Sequence, residues 1–152
     1  MSSEAQNQKE YVTALIGGQL FGLPILRVQD VFIPERLTRV PLAPAEVAGV
    51  LNLRGRIVTL IEMRQCLGLA ARPAGEPFMA IGVELRGESY GLLIDSVGEV
   101  LRLDEASHEP NLINLDPRLA RVSAGVHRLE NQLLVVVDVD RVLDAGPRAI
   151  AA

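Results

Sequence analysis

Tryptophan is absent from this 152-residue chain, aromatic residues of all kinds make up 3% of it, and it has a single cysteine, Cys66. Each shortage removes a class of explanation. With so few aromatic side chains there is no platform on which the bases of a single-stranded nucleic acid could stack. The basic field that phosphate binding needs is also missing, since the net charge is −4 and the sequence pI about 5.2. One thiol closes no internal disulfide, and within EMRQCLGL it reads as a small buried hydrophobe. Long apolar runs are lacking: LLVVV at 133–137 is far too short to span a bilayer. The polar opening MSSEAQNQKE carries no apolar segment, so neither a signal peptide nor a membrane anchor is expected. A cytoplasmic protein with no direct membrane insertion and no nucleic-acid partner is the expectation.

What the chain does have is itself, nearly twice. GVLNLRGRIVTLIEMRQCLGL at 49–69 returns as GVHRLENQLLVVVDVDRVL at 125–143, with Gly49, Val50, Leu53 and Leu67 recurring as Gly125, Val126, Leu129 and Leu143. GQLFGLPILRVQDV at 18–31 returns as GESYGLLIDSVGEV at 87–100, with Gly22 matching Gly91 and Val31 matching Val100. Two copies in one order mean one supersecondary plan used twice. Four pairs of apolar segments flank Gly17-Gly18, Arg54-Gly55, Arg86-Gly87 and Glu130-Asn131, and a Gly or Asn second in each pair signals a tight two-residue hairpin. Strands rich in Val, Ile and Leu, joined by such turns, predict small closed barrels with few exposed edges. The halves are predicted to pack on each other, because some 70 residues bury little surface alone. The first strand, 11–16, is expected to pair into the other half's barrel.

The predicted organisation is a first barrel over 11–69, a linker over 70–77 containing ARPAGEP, and a second barrel over 78–143; 1–10 and 145–152 read as flexible tails. Short helical turns are predicted at PAEVA (44–48), at MRQCLGL, and at DRVLDAG with Asp140 as cap and Gly146 as stop.

Catalytic readings do not assemble. His108 and His127 have no Cys or carboxylate at ligand spacing, so no metal and no cofactor is expected. No serine lies in a nucleophile-elbow context. Glu62 and Asp138 occupy equivalent positions at strand ends, where a carboxylate caps the helical turn that follows. The GGQLFG run feeds a strand and does not open a helix, which excludes a phosphate loop. An enzyme is not expected; a binding surface is. Val28 and Val31 alternate with polar residues in ILRVQDVF, and Arg54 sits at the tip of a turn whose geometry needs only Gly55.

Taken in order, GQLFGLPILRVQDV, VPLAPAEVAGVLNLRGRIVTLIEMRQCLGL, SYGLLIDSVGEVL and QLLVVVDVDRVL resemble the CheW family, the coupling proteins of bacterial chemotaxis arrays. The resemblance spans residues 11–143, and its most specific parts are V-x-G-V-x-N-L-R-G-x-I at 47–57 and G-L-x-I-D-x-V-x-E-V at 91–100. It implies an all-β fold of two intertwined five-stranded SH3-like barrels with a few short helices. It also implies a non-enzymatic adaptor, recruited to membrane receptor arrays, that joins the cytoplasmic tip of a methyl-accepting chemoreceptor to the regulatory domain of a CheA-like histidine kinase. Mapped by motif, receptor contacts fall on Val28, Asp30, Val31 and Arg54, and kinase coupling on Gly49 and Gly55. On this resemblance Gly49→Asp weakens kinase binding in a folded domain, while Gly125→Asp acts through stability. Glu62 stands where the family has Asp, implying a weaker cap and a looser strand end, and Asp30 stands where Glu is usual. Residues 108–125 match only loosely. The rival readings are a coupling protein of a non-flagellar pathway, such as pilus motility or surface signalling, and an oligonucleotide-binding double barrel.

Overall fold

A computed structural model describes residues 7–110 and 115–144. The chain runs through β1 (Gln8–Ile16), β2 (Gln19–Pro24), a 3-10 turn (Ile25–Arg27), β3 (Asp30–Phe32), β4 (Val47–Leu53), β5 (Arg56–Glu62) and α1 (Met63–Cys66). It continues through β6 (Met79–Leu85), β7 (Glu88–Ile94), β8 (Ser96–Asp104), a second 3-10 turn (Glu105–Ser107), β9 (His108–Glu109), α2 (Pro117–Val122), β10 (Ser123–Arg128), β11 (Leu133–Val137) and α3 (Val139–Asp144). One sheet has the order β3-β6-β7-β5-β4 and the other β8-β1-β2-β11-β10-β9. Each sheet therefore takes its hairpin from the other half of the chain: β6–β7 completes the first barrel and β1–β2 the second. The two intertwined barrels anticipated from the duplication are present, with the two-residue β9 added to the second.

The duplication holds residue by residue. Leu60 lies beside Gly91 in the parallel pairing of β5 with β7, and its repeat partner Val136 lies beside Gly22 in the pairing of β11 with β2. Val31 faces Ile81, and its repeat partner Val100 faces Val12. The recurring strand glycines have a steric cause. A Cβ on Gly22 would lie 2.8 Å from Leu134 Cδ2, and one on Gly91 would lie 2.8 Å from Leu60 Cδ2, so each strand yields room to a leucine of the neighbouring strand.

Three apolar clusters follow from this topology. The largest, including Ile16, Phe21, Ile81, Leu92, Val126 and Val135, is shared by both barrels. Smaller clusters fill the interiors, around Leu51, Val58 and Leu60 in the first barrel and around Tyr11, Leu134 and Val136 in the second. Each buried aliphatic side chain contributes roughly 1.5–3 kcal/mol. Because the largest cluster draws on both halves, they are expected to fold as one unit.

Several local expectations need correction. β1 begins at Gln8, since Gln8, Lys9 and Glu10 pair with Asp104, Leu103 and Arg102, so that part of the supposed tail is strand. Residues 1–6 and 145–152, including Gly146, lie outside the described residues. Three hairpins turn with both central φ angles positive, at Gly17-Gly18, Arg54-Gly55 and Arg86-Gly87. The fourth does not: Glu130 and Asn131 keep negative φ, and Leu129 N–H donates to Gln132 O at 2.8 Å. Val47 and Ala48 belong to β4 and not to a helical turn. Asp138 caps α3 by accepting from Arg141 N–H at 3.1 Å, while Asp140 pairs with Arg27. Helix α2 went unread, although Asp116 accepts from Arg118 N–H and Pro117 fills its first position.

Candidate functional site

β3 and the β4–β5 hairpin bring three of the four predicted receptor residues together. Asp30 Oδ2 lies 3.8 Å from Arg54 Nη1, with side-chain exposures of 25% and 77%. Val31 follows Asp30 on β3 and is 38% exposed. Asp30 is seated because its partner across the strands is Gly82: any Cβ there would collide with Asp30 Oδ1. Val28 is different, being half-buried against the shared core, with its N–H donating to Ile25 O at 3.1 Å.

The tip itself is held by Asn52, whose Oδ1 accepts from Gly55 N–H at 2.9 Å. Arg54 has φ 53°, a conformation that costs a non-glycine residue about 1 kcal/mol. Arg86 has the same φ, so conformation alone does not single out Arg54. The pairing does bear on it. An ion pair this open and this long adds well under about 1 kcal/mol to stability, so the fold has little need of either charge.

Sequence reading missed the aliphatic side chains exposed on the neighbouring segments. Ile33 and Ile57 are exposed, and a hollow of about 330 Å³ lies between residues 32–36 and the end of β4, lined by Phe32, Leu51 and Leu53. Ile57 pairs across the hairpin with Asn52. A charge pair with aliphatic side chains exposed on the adjoining segments suits a protein partner. The signal was legible in RGRIV and VFIPE, where isoleucines fall on the polar side of the strand alternation.

The predicted kinase residues part company. Gly55 is exposed at the hairpin tip, and a Cβ there would meet nothing within 4 Å. Gly49 is buried at a bulge in β4, with φ 157°, and a Cβ would lie 2.6 Å from Thr38 O and 2.8 Å from Leu37 Cδ1. Gly125 repeats this at the bulge in β10, with φ 125° and Glu109 O at 2.6 Å. Gly49 presents no surface; whatever it contributes passes through the backbone around it.

Glu62 is not the loose cap that its substitution for Asp implied. It accepts from Arg64 N–H at 3.2 Å and also receives both terminal nitrogens of Arg72, at 2.9 and 3.3 Å. Arg72 and Arg64 both bind Asp95, whose Oδ2 in addition accepts from Gly17 N–H at 2.9 Å. The network ties the segment between the halves to a strand end of one barrel and a hairpin turn of the other. These guanidinium donors hold the Asp95 carboxyl down at about 2.

Among the described residues no three His, Cys, Asp or Glu side chains are grouped to hold a metal ion, and no helix is long and apolar enough to cross a membrane. Two interlocked barrels that offer an exposed charged and aliphatic rim define a protein-binding module. The chain belongs to the CheW-like domain family, whose model matches residues 10–146. It is 26% identical to the chemotaxis protein CheW of Helicobacter pylori over 93% of this chain and 87% of that protein. It is 28% identical to the protein PilI of Pseudomonas aeruginosa over 79% of this chain and 67% of that one. The crystal structure of the scaffolding protein TtCheW from Thermoanaerobacter tengcongensis superposes with a TM-score of 0.76 at 28% identity, covering 85% of this chain and 83% of that one. The family is one of chemotaxis scaffolds and not of enzymes.

Proposed function

We propose that this protein couples the cytoplasmic tip of a chemoreceptor to the regulatory domain of a CheA-type histidine kinase, as a cytoplasmic adaptor held at receptor arrays. The observation that carries the receptor half is the Asp30–Arg54 pair, long and exposed on its arginine side, with Val31, Ile33 and Ile57 exposed on the adjoining segments. Receptor binding is read as docking of a helical receptor tip on this rim, with a receptor carboxylate drawn to Arg54. Val28 supports the rim from behind. The kinase is read as docking near the Gly49–Gly55 strand, with Gly55 allowing close approach.

Titration of Arg54→Glu against a receptor cytoplasmic fragment and, separately, against the kinase regulatory domain tests this assignment. Receptor affinity is expected to fall by roughly 2 kcal/mol or more as like charges meet at a partly dried rim. Kinase affinity and melting temperature stay near wild type. Normal receptor binding by the folded mutant overturns the reading.

A second reading keeps the mechanism and changes the pathway. The likeness to PilI favours a non-flagellar system, such as pilus-driven motility. Affinity capture from the native cells separates the two by which receptors and kinase are recovered.

A further inference from the structure

The two barrels differ at one pair of interior positions in a way that their common plan does not require. In the first barrel Leu51 on β4 faces Val58, and Leu37 sits beside it over Gly49. The repeat partner of Leu51 is His127 on β10, facing Leu134, and the residue in the place of Leu37, over Gly125, is His108 on β9. A leucine pair in one barrel is a histidine pair in the other. The imidazole centroids lie 5.4 Å apart, and His127 also meets the Tyr11 ring edge-on at 5.5 Å.

His127 is 1% exposed. Its Nδ1 lies 3.2 Å from Ser107 Oγ, and that hydroxyl donates to Asp104 O at 2.8 Å. The hydroxyl proton being committed, Nδ1–H is the donor and the neutral tautomer leaves a bare lone pair on Nε2. Nε2 is buried and, among the described residues, has no hydrogen-bond partner. Burial, and then the neighbouring His108, push its pKa below the usual imidazole value.

The charges of Glu105 and Glu109 act the other way, but among the described residues neither accepts a hydrogen bond from His127. Glu105, on the 3-10 turn, is 3.4 Å from the Tyr11 hydroxyl of β1. Glu109, on β9, is held by Arg128 of β10 at 2.9 Å. His108 Nε2 is itself 2.8 Å from Ala124 O. Lys9, Arg27, Glu105 and Asp138 line the hollow beside His108 and bring two charges of each sign. A proton added to Nε2 would be a buried cation without an acceptor, beside a second imidazole. The elements best able to relieve it are the 3-10 turn and β9, which at two residues is the shortest strand among the described residues and pairs there with β10 alone.

We propose that His127 and His108 form an acid-sensitive latch that holds the 3-10 turn and β9 closed against the second barrel, and that acidification opens this end while the leucine-packed first barrel stays shut. Opening would remodel the surface around residues 105–109 without touching the Asp30–Arg54 rim.

Amide hydrogen exchange on the full chain between pH 7.5 and 5, expressed as protection factors, tests the latch. Protection at residues 105–109 and 126–127 is expected to fall once the unfolded-state histidine value near 6.5 is passed, by at most about tenfold for each pH unit. Thr38 and Val50 of the first barrel should keep theirs, and His127→Leu, which copies the first barrel, should abolish the pH dependence. Equal loss in both barrels, no loss at all, or an unchanged pH dependence in His127→Leu overturns the proposal. Should that variant fail to fold, imidazole NMR titration of the wild-type protein decides: loss of protection must coincide with protonation of His127, and separation of the two events overturns the latch.

Discussion

Adding a single methyl group at Gly49 tests whether this residue serves the fold or a partner. A Cβ there would sit 2.6 Å from the Thr38 carbonyl oxygen, a backbone atom that cannot rotate away. Relief requires moving residues 37–38 off β4. That breaks the reciprocal pair in which Thr38 N–H donates to Val50 O at 2.7 Å and Val50 N–H donates to Thr38 O at 2.8 Å. Each such bond has a net worth of about 1 kcal/mol, and the positive φ adds about another 1 kcal/mol. Gly49→Ala should therefore cost roughly 3 kcal/mol, or on the order of 10 °C in melting temperature for a domain this size. Gly125→Ala, with the Glu109 carbonyl at the same 2.6 Å, should cost as much. Gly55→Ala is the control: φ is 86° but no atom lies within 4 Å, so only about 1 kcal/mol is expected. Urea denaturation of the three variants, read by far-UV circular dichroism, gives the comparison. The resemblance alone had implied that Gly49 tolerates substitution in a folded domain; the geometry implies that lost kinase affinity would follow lost structure. Gly49→Ala melting within about 1 kcal/mol of wild type, with kinase affinity gone, would refute the packing argument.

Asp95→Asn should lower stability at neutral pH by roughly 1–2 kcal/mol, the carboxylate's linkage contribution reduced by solvent at the partly open edge of its network. Its folded-state pKa is depressed to about 2 from 3.8, so the wild-type contribution is full above about pH 5 and is lost as pH falls through the folded value. Melting curves from pH 7 to pH 2 should thus converge for mutant and wild type at the acid end; a constant gap would mean that the loss is steric. Cys66 is buried and its thiol is pushed up to about 12, so alkylation by iodoacetamide at pH 8 should be negligible in the native protein and rapid in urea. Fast native labelling would contradict the packing of α1.

Which features were legible in the sequence follows from how local their causes are. Turn glycines and strand patterns act over a few residues, so the hairpins at Gly17-Gly18, Arg54-Gly55 and Arg86-Gly87 could be read directly. Gly22 and Gly91 could be recognised as repeats, but their reason, a leucine 2.8 Å away in a parallel neighbour, needs the exchange of hairpins between halves. The Glu130-Asn131 turn misled because Asn permits positive φ without demanding it. Helix α2 carried its signals in Asp116 and Pro117, yet at six residues it shows too little apolar periodicity to be noticed.

The candidate site divides along the same line. Asp30 and Arg54 are 24 positions apart in the sequence, and only a resemblance linked them before the fold brought β3 to the β4–β5 turn. Gly49 is the converse case, where a kinase role came from the resemblance and a packing reason comes from the geometry. Its repeat, Gly125, already indicated a shared backbone requirement, and the two carbonyl oxygens at 2.6 Å supply it. Where duplicated positions keep the same residue, as at these glycines, the common plan accounts for it. Where they diverge on identical scaffolding, as at Leu51 and His127, packing alone does not explain the difference, because the first barrel demonstrates that leucine fits. A duplicated fold in this way carries its own control, and the departures between its halves are where one barrel can acquire a property the other lacks.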